Sequence, residues 1–268
     1  MCVTDANAIR RMPFEGHGKI LCIAFRPDGR HLVGGQDSGY IRQWNVDCGE
    51  EFCPSWMKSS GDVYAVATSM DGRWIVSGDK ENKAIIWNAV THQKAIQLSD
   101  HVGPVYAIDV SNDSTRIASG SGDYTVQVFD IVSGTRVIPP LCHTDCVVAV
   151  KFSPDGSQIA TATSHQQGFV YIFDSRSGDK RHEISIPALP SPPLTPLAWS
   201  SDGQRLFVGS PDKIISFDTS TFYRSEWQHP HINKPAIVAH GRFIGVCCEG
   251  ECILFWDYTS RKQIGSVG

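Results

Sequence analysis

Three marks recur in step along this chain about every 42 residues, and a repeat of that length limits the fold more than any other feature of the sequence. The first is a turn signal: Asp28-Gly29, Asp71-Gly72, Asp113-Ser114, Asp155-Gly156 and Asp202-Gly203, at intervals of 43, 42, 42 and 47 residues. The second is an apolar pair: Leu32-Val33, Ile75-Val76, Ile117-Ala118, Ile159-Ala160, Leu206-Phe207 and Phe243-Ile244. The third is an aromatic residue followed by Asp or Asn: Trp44-Asn45, Trp87-Asn88, Phe129-Asp130, Phe173-Asp174, Phe217-Asp218 and Trp256-Asp257.

Between these marks the apolar residues come in short runs rich in Val, Ile and Phe, such as Val126-Gln127-Val128-Phe129 and Val170-Tyr171-Ile172-Phe173. Such runs suit strands whose side chains alternate between two faces. No amphipathic helix of useful length is present, so the class is all-β. Each unit reads as strand, Asp-Gly turn, strand, turn, strand and a final strand. One four-stranded sheet cannot bury both of its faces, but sheets stacked around an axis cover one another. The expected architecture is a β-propeller of about six four-stranded blades, with seven as the alternative, in a single domain over residues 1–268.

The runs Phe152-Ser153-Pro154-Asp155-Gly156-Ser157-Gln158-Ile159-Ala160 and Ile117-Ala118-Ser119-Gly120-Ser121-Gly122-Asp123 closely resemble the WD repeat, as do Gly16-His17 with Trp44 and the terminal Trp256-Asp257. The wording is most similar to fungal WD-repeat proteins, the sensor ends of heterokaryon-incompatibility NTPases among them. The resemblance runs from about residue 9 to the end. It implies a hydrogen-bonded tetrad in each blade: a His before the first strand, Ser or Thr in the second, Asp in the following turn and Trp in the third. The third blade matches at His101, Ser119 and Asp123, with Phe129 in place of Trp. The first keeps His17 and Trp44 but has Gly34 and Ser38. The second keeps Ser77 and Trp87 with Glu81 at the acidic position. No blade has the full set. A net hydrogen bond is worth only about 1 kcal/mol, so apolar packing is expected to carry the ring.

The sixth unit is compressed, and Lys262-Gln263-Ile264 holds the phase of a short fourth strand. Residues Ala8 to Phe14 hold the same phase with no blade of their own. They are expected to close the ring by pairing with the C-terminal strands; the rival reading is a longer propeller whose remaining blade is missing.

A formal charge of -4 offers no footprint for nucleic acid or an anionic membrane. No apolar run reaches the roughly 18 residues of a membrane span, and the first 14 residues lack a signal peptide's apolar core. The nine cysteines are irregularly placed and read as reduced thiols. The expected location is the cytoplasm or the nucleus.

The sequence has no phosphate loop, no G-x-S-x-G elbow and no H-E-x-x-H zinc helix. His229, His231, Cys247, Cys248 and Cys252 match no zinc spacing, and His143 between Cys142 and Cys146 is taken as a pre-strand His. The five prolines between Pro187 and Pro196 read as a stiff interblade loop rather than a ligand for a Pro-binding domain. Phe173-Asp174-Ser175-Arg176 resembles a motif that docks onto a cullin ubiquitin-ligase adaptor, which makes a ligase substrate receptor an alternative. An enzyme working in the central channel is a further one, but the inner strands are mostly Val, Ile and Ala. The favoured reading is a non-catalytic scaffold that binds proteins or peptides, needs no cofactor or metal, and contacts neither nucleic acid nor membrane.

Its binding surface is expected on the face carrying the loops before each first strand and the turns after each second strand. Leu21, Tyr64, Tyr106, Val148 and Thr195 occupy one equivalent position near that rim. Tyr64 and Tyr106 are the expected contact pair, with Lys19, Lys80, Glu81 and Tyr124 as a polar rim. The competing expectation is that both rings pack between blades.

Overall fold

The computed structural model of the protein describes residues 18–51, 57–164, 167–187, 196–210, 213–228, 236–248 and 252–267. The described strands form six antiparallel sheets of four, each a simple meander. Residues 20–58 hold β1 to β4, 63–98 hold β5 to β8, 105–142 hold β9 to β12, 147–187 hold β13 to β16, 197–228 hold β17 to β20 and 236–267 hold β21 to β24. The first strands are β1 (Ile20–Phe25), β5 (Val63–Thr68), β9 (Val105–Val110), β13 (Val147–Phe152), β17 (Leu197–Trp199) and β21 (Ala236–His240). Each packs against the next in that order, so they are the innermost strands of a six-bladed β-propeller.

Both repeated Asp positions act at turns. In the turn after each of the first five inner strands, Asp28, Asp71, Asp113, Asp155 and Asp202 accept a backbone N–H from two residues further on. The intervening glycines take φ near 70°, and Ser114 is held at 60° in the same place. After each third strand, Asn45, Asn88, Asp130, Asp174, Asp218 and Asp257 each accept two successive backbone N–H groups. A short carboxylate or amide oxygen at this spacing folds the chain back locally, which explains the Asp or Asn after each aromatic. The hydrogen bonds also hold the Asp130, Asp155, Asp202 and Asp257 carboxyls below their ordinary range.

The core is distributed between blades. One buried apolar cluster joins the first and second sheets, and a further one lies at each junction up to that of the fifth and sixth. Ile117, Phe129 and Ile131 of the third sheet, for example, pack with Val76, Ile86 and Leu98 of the second. Burying such side chains contributes roughly 25 cal/mol per Å² of apolar area.

The sixth sheet corrects the expected short ending. Its outermost strand, β24 (Lys262–Val267), pairs with β23 (Cys252–Asp257) from Lys262 opposite Asp257 to Val267 opposite Ile253. The compression lies elsewhere: β21 turns into β22 (Phe243–Cys248) through Gly241 and Arg242, with Gly241 at φ 55°. Residues 8–14, His17, Thr195, His229 and His231 lie outside the described residues, as does most of the proline-rich segment.

Candidate interaction face

In a four-stranded meander the link to the next sheet and the turn between second and third strands fall at the same end. Lys19, Tyr64, Lys80, Glu81, Tyr106 and Tyr124 therefore share one end of the propeller, as the repeat phase predicts.

At the third sheet this end is tied down by polar contacts. His101 Nδ1 lies 2.8 Å from Asp123 Oδ2, and its Nε2 lies 2.8 Å from Ser119 Oγ. Asp123 also accepts the Thr125 hydroxyl at 2.7 Å and the Val102 N–H at 3.0 Å. Burial pushes the Asp123 carboxyl up, but the Thr125 hydrogen bond and the His101 imidazole outweigh it and leave it below its ordinary range. Ser121 Oγ donates to the Gly103 carbonyl at 2.8 Å. A Cβ on Gly103 would stand 2.6 Å from the Asp123 nitrogen, so loop and turn are in van der Waals contact. Phe129, without a donor, is buried in the junction with the second sheet.

The other sheets keep parts of this network. Trp87 Nε1 donates to Ser77 Oγ at 2.9 Å in the second. There the acidic position needs a correction: Glu81 is exposed, while Asp79, two residues earlier, is fully buried and accepts the Ser59 hydroxyl. Asp79 ends the second strand, as the buried Gln36, Ser121, Thr163 and Ser210 do in the first, third, fourth and fifth sheets. In the fourth sheet His143 Nε2 sits 2.8 Å from Thr161 Oγ1, with its ring edge-on to Tyr171 and Phe173 at 4.9 and 5.3 Å. Burial pushes the His143 pKa down to about 4, so it is neutral at pH 7. In the first sheet Trp44 packs over Gly34, and Arg42 bonds Gln36 and pairs with Glu51. In the sixth, Val246 stands where the second sheet has Ser77, and the buried Trp256 Nε1 has no acceptor among the described residues.

On this framework the Tyr64 and Tyr106 rings lie together, centroids 5.5 Å apart and tilted by 38°. Each is partly buried. Burial raises the pKa of both phenols, aided at Tyr64 by Asp62 and Glu81 and at Tyr106 by Cys146 and Tyr64. A Cβ on Gly122 would meet the Tyr106 ring at 3.1 Å, so that residue lets the turn lie against the phenol. Around the pair, Lys80 faces Asp62 at 3.8 Å, Asp37 accepts the Lys19 backbone N–H at 3.0 Å, and Tyr124 is exposed at φ 69°. Val102 escapes a reading by repeat position, because its neighbour His101 turns inward; it is 84% exposed on the same face.

Elsewhere the inner strands carry an ion pair, Lys151 Nζ to Asp109 Oδ1 at 2.7 Å, whose carboxylate also accepts the Phe152 N–H at 2.8 Å. Phe173 and Ser175 are buried at the opposite end, where only Arg176 of that motif is fully exposed. No cluster of three metal-binding side chains occurs among the described residues. No helix of the described residues is long and apolar enough to cross a membrane.

A family model described as WD domain, G-beta repeat matches residues 9–45, 53–88, 93–130 and 136–174, which together make up more than half of the chain. A transcription initiation factor TFIID subunit 5 from Caenorhabditis elegans is 29% identical over 104 residues, covering 38% of this chain and 16% of that protein. The nuclear distribution protein nudF of Emericella nidulans is 30% identical over 99 residues, covering 36% of this chain and 22% of its own length. The matched stretch thus spans about a fifth or less of either relative.

Proposed function

Because the chain belongs to the WD40 repeat family, we propose that it is a non-catalytic scaffold that binds other proteins through the face carrying Tyr64 and Tyr106. The observation that carries this reading is the tyrosine pair: two adjacent, partly exposed rings near the start of the inner strands β5 and β9, beside the third-sheet loop and turn that the His101, Ser119 and Asp123 contacts hold. Tyrosine combines a large contact area with a polar tip and is enriched among residues that dominate interface energies. A face already held in place loses little conformational entropy on binding. Val102 and Tyr124 extend the apolar area, while Lys19, Lys80 and Glu81 form a charged rim that tunes encounter rates and partner choice. The protein works in the cytoplasm or nucleus, without cofactor, nucleic acid or membrane.

A photo-crosslinking amino acid at position 106, expressed in the native cell, tests the face. The reading expects discrete crosslinked proteins that are absent when the same group is placed at Val132, an exposed position at the opposite end. Equal crosslinking at 106 and 132 would remove the support.

A further inference from the structure

Tyr64 and Tyr106 stand where they do because of a repeated irregularity in the inner strands. In the second sheet Val63 pairs with Asp79 and Ala65 with Gly78, so Tyr64 is an extra residue between two consecutive pairs. Tyr106 is the extra residue of the third sheet, between Val105 opposite Ser121 and Ala107 opposite Gly120. A bulge of this kind turns one side chain out of the regular alternation. The same irregularity falls on Leu21 in the first sheet and on Val148 in the fourth. Of these four sheets, the adjacent second and third place a phenol there, which is why the two rings meet.

The charges around the pair say what it can hold. Asp62 is two residues from Tyr64, and Glu81 lies over Gly61, where an added Cβ would meet its Cγ at 2.9 Å. In the same turn Lys80 faces Asp62 at 3.8 Å, and Lys83 donates to the Ser60 hydroxyl at 2.7 Å. Glu81 itself is exposed, and among the described residues no cation pairs with it. Burial raises the Tyr64 phenol pKa first, and the Asp62 and Glu81 charges add to the rise, so both carboxylates are felt at that ring. On the far side the Cys146 thiol acts on the Tyr106 phenol and is flanked in turn by Asp145.

An aromatic ring presents a negative face, and here carboxylates stand on both sides of two such rings. An anionic ligand is repelled by them, and an apolar one would cover Glu81 without giving it a partner, which costs free energy. A cation meets both needs. A guanidinium does so better than an ammonium, because it lies flat on a ring while its N–H edge reaches a carboxylate in two parallel bonds. We infer that the tyrosine pair is the seat for an arginine of the partner, stacked on the partly exposed rings with its N–H edge turned to Glu81, so that the face selects a basic segment. This rests on the reading of that face as the interaction surface and adds the chemistry that the face selects. Val102 and Tyr124, 84 and 47% exposed on the neighbouring loop and turn, take the apolar residues flanking that arginine.

The test labels the 268-residue chain with fluorotyrosine and follows its fluorine NMR spectrum, with the two signals assigned from Tyr64→Phe and Tyr106→Phe. The probe is the capped pentapeptide Gly-Leu-Arg-Leu-Gly, compared with peptides that carry lysine or citrulline in place of the arginine. Citrulline keeps the planar shape without the charge. The arginine peptide should shift both signals saturably, the lysine peptide should bind about threefold more weakly or worse, and the citrulline peptide should leave them in place. Tyr223, 70% exposed at the opposite end, should not respond. Glu81→Gln should weaken arginine binding about fivefold or more. Its melting temperature should match the parent's, since the side chain is exposed. Added salt should weaken binding too. No shift at roughly 10 mM arginine peptide, equal shifts with the citrulline peptide, or binding indifferent to Glu81→Gln overturns the inference. So does equal movement of Tyr223, which would mean non-specific contact. Crosslinking at position 106 does not depend on the partner's charge. Discrete crosslinked partners without an arginine response would keep the face and remove the arginine, whereas crosslinking no different from that at 132 would remove the face itself.

Discussion

The third and sixth sheets of this propeller solve the same packing problem with different means. In the third, a buried His101 is held between Asp123 and Ser119, and the loops at that end are locked together. In the sixth, Val246 replaces the hydroxyl, the indole N–H of Trp256 finds no acceptor among the described residues, and Ile244, Val246 and Leu254 pack into the apolar junction with the fifth sheet, where Gly241 N–H and Arg261 also donate to Ser201 Oγ and Ser225 Oγ. Both sheets keep the same four-stranded meander. Packing between blades thus sets the fold, and the polar network fixes where the loops of one face stand.

Substitution at the packing itself is expected to have the largest effect. Ile117 is fully buried between the second and third sheets. Ile117→Ala should cost about 2–5 kcal/mol in a denaturant titration. A loss well under 1 kcal/mol would mean that the hydrogen bonds, and not the apolar junctions, hold the ring.

Asp123→Ala should cost about 1–3 kcal/mol, because it leaves the His101 imidazole and the Val102 N–H without their acceptor. Ser38→Ala, at the equivalent turn of the first sheet, removes an exposed residue and should cost under about 0.5 kcal/mol. Equal losses at the two sites would erase the distinction between a sheet with the network and one without it.

His143 gives the comparison a pH dependence. Its folded pKa of about 4 lies below the ordinary 6.5, so the unfolded chain binds the extra proton between these values. Stability is therefore fully retained above about pH 6.5 and falls as the pH drops toward 4, by an amount on the order of 3 kcal/mol. Melting temperatures across this range should show the decline, and His143→Phe should flatten it. An unchanged profile in that variant would assign the decline to another group.

The smallest effect belongs to Val246→Ser, which offers Trp256 the acceptor that Ser77 offers Trp87. The hydrogen bond gained, about 1 kcal/mol, is offset by the apolar burial lost, so the net change should stay within about 1 kcal/mol. The reverse change, Ser77→Val, strands the Trp87 donor and should cost more.

These contrasts also mark how far the sequence could be read. The turn residues Asp28 to Asp202 and the Asp or Asn after each aromatic announced six sheets, because each acts within three residues of itself and leaves a local signature. His101, Ser119 and Asp123 could be matched because their spacing follows the repeat. Asp79 could not: it ends the second strand two residues before the matched acidic position, where the third, fourth and fifth sheets bury Ser121, Thr163 and Ser210 instead of a carboxylate. The length of β24 was hidden because its exposed, mixed sequence carries little alternation, and its pairing comes from β23. The closeness of Tyr64 and Tyr106 follows from how adjacent blades stack, which the repeat suggests by phase but does not measure.

The measurement that bears most directly on the scaffold reading compares two double variants of the whole chain, Tyr64→Ala with Tyr106→Ala and Val90→Ser with Val132→Ser. The second pair alters exposed apolar residues at the opposite end. Each variant is affinity-purified from the native cell, its bound proteins are quantified by mass spectrometry, and its melting temperature is recorded. The tyrosine variant should lose its principal partners, by roughly tenfold or more as expected for residues at an interface centre, while melting like the parent; the valine variant should keep them. Partners retained by a well-folded tyrosine variant, or lost only together with its stability, would contradict the assignment of this face.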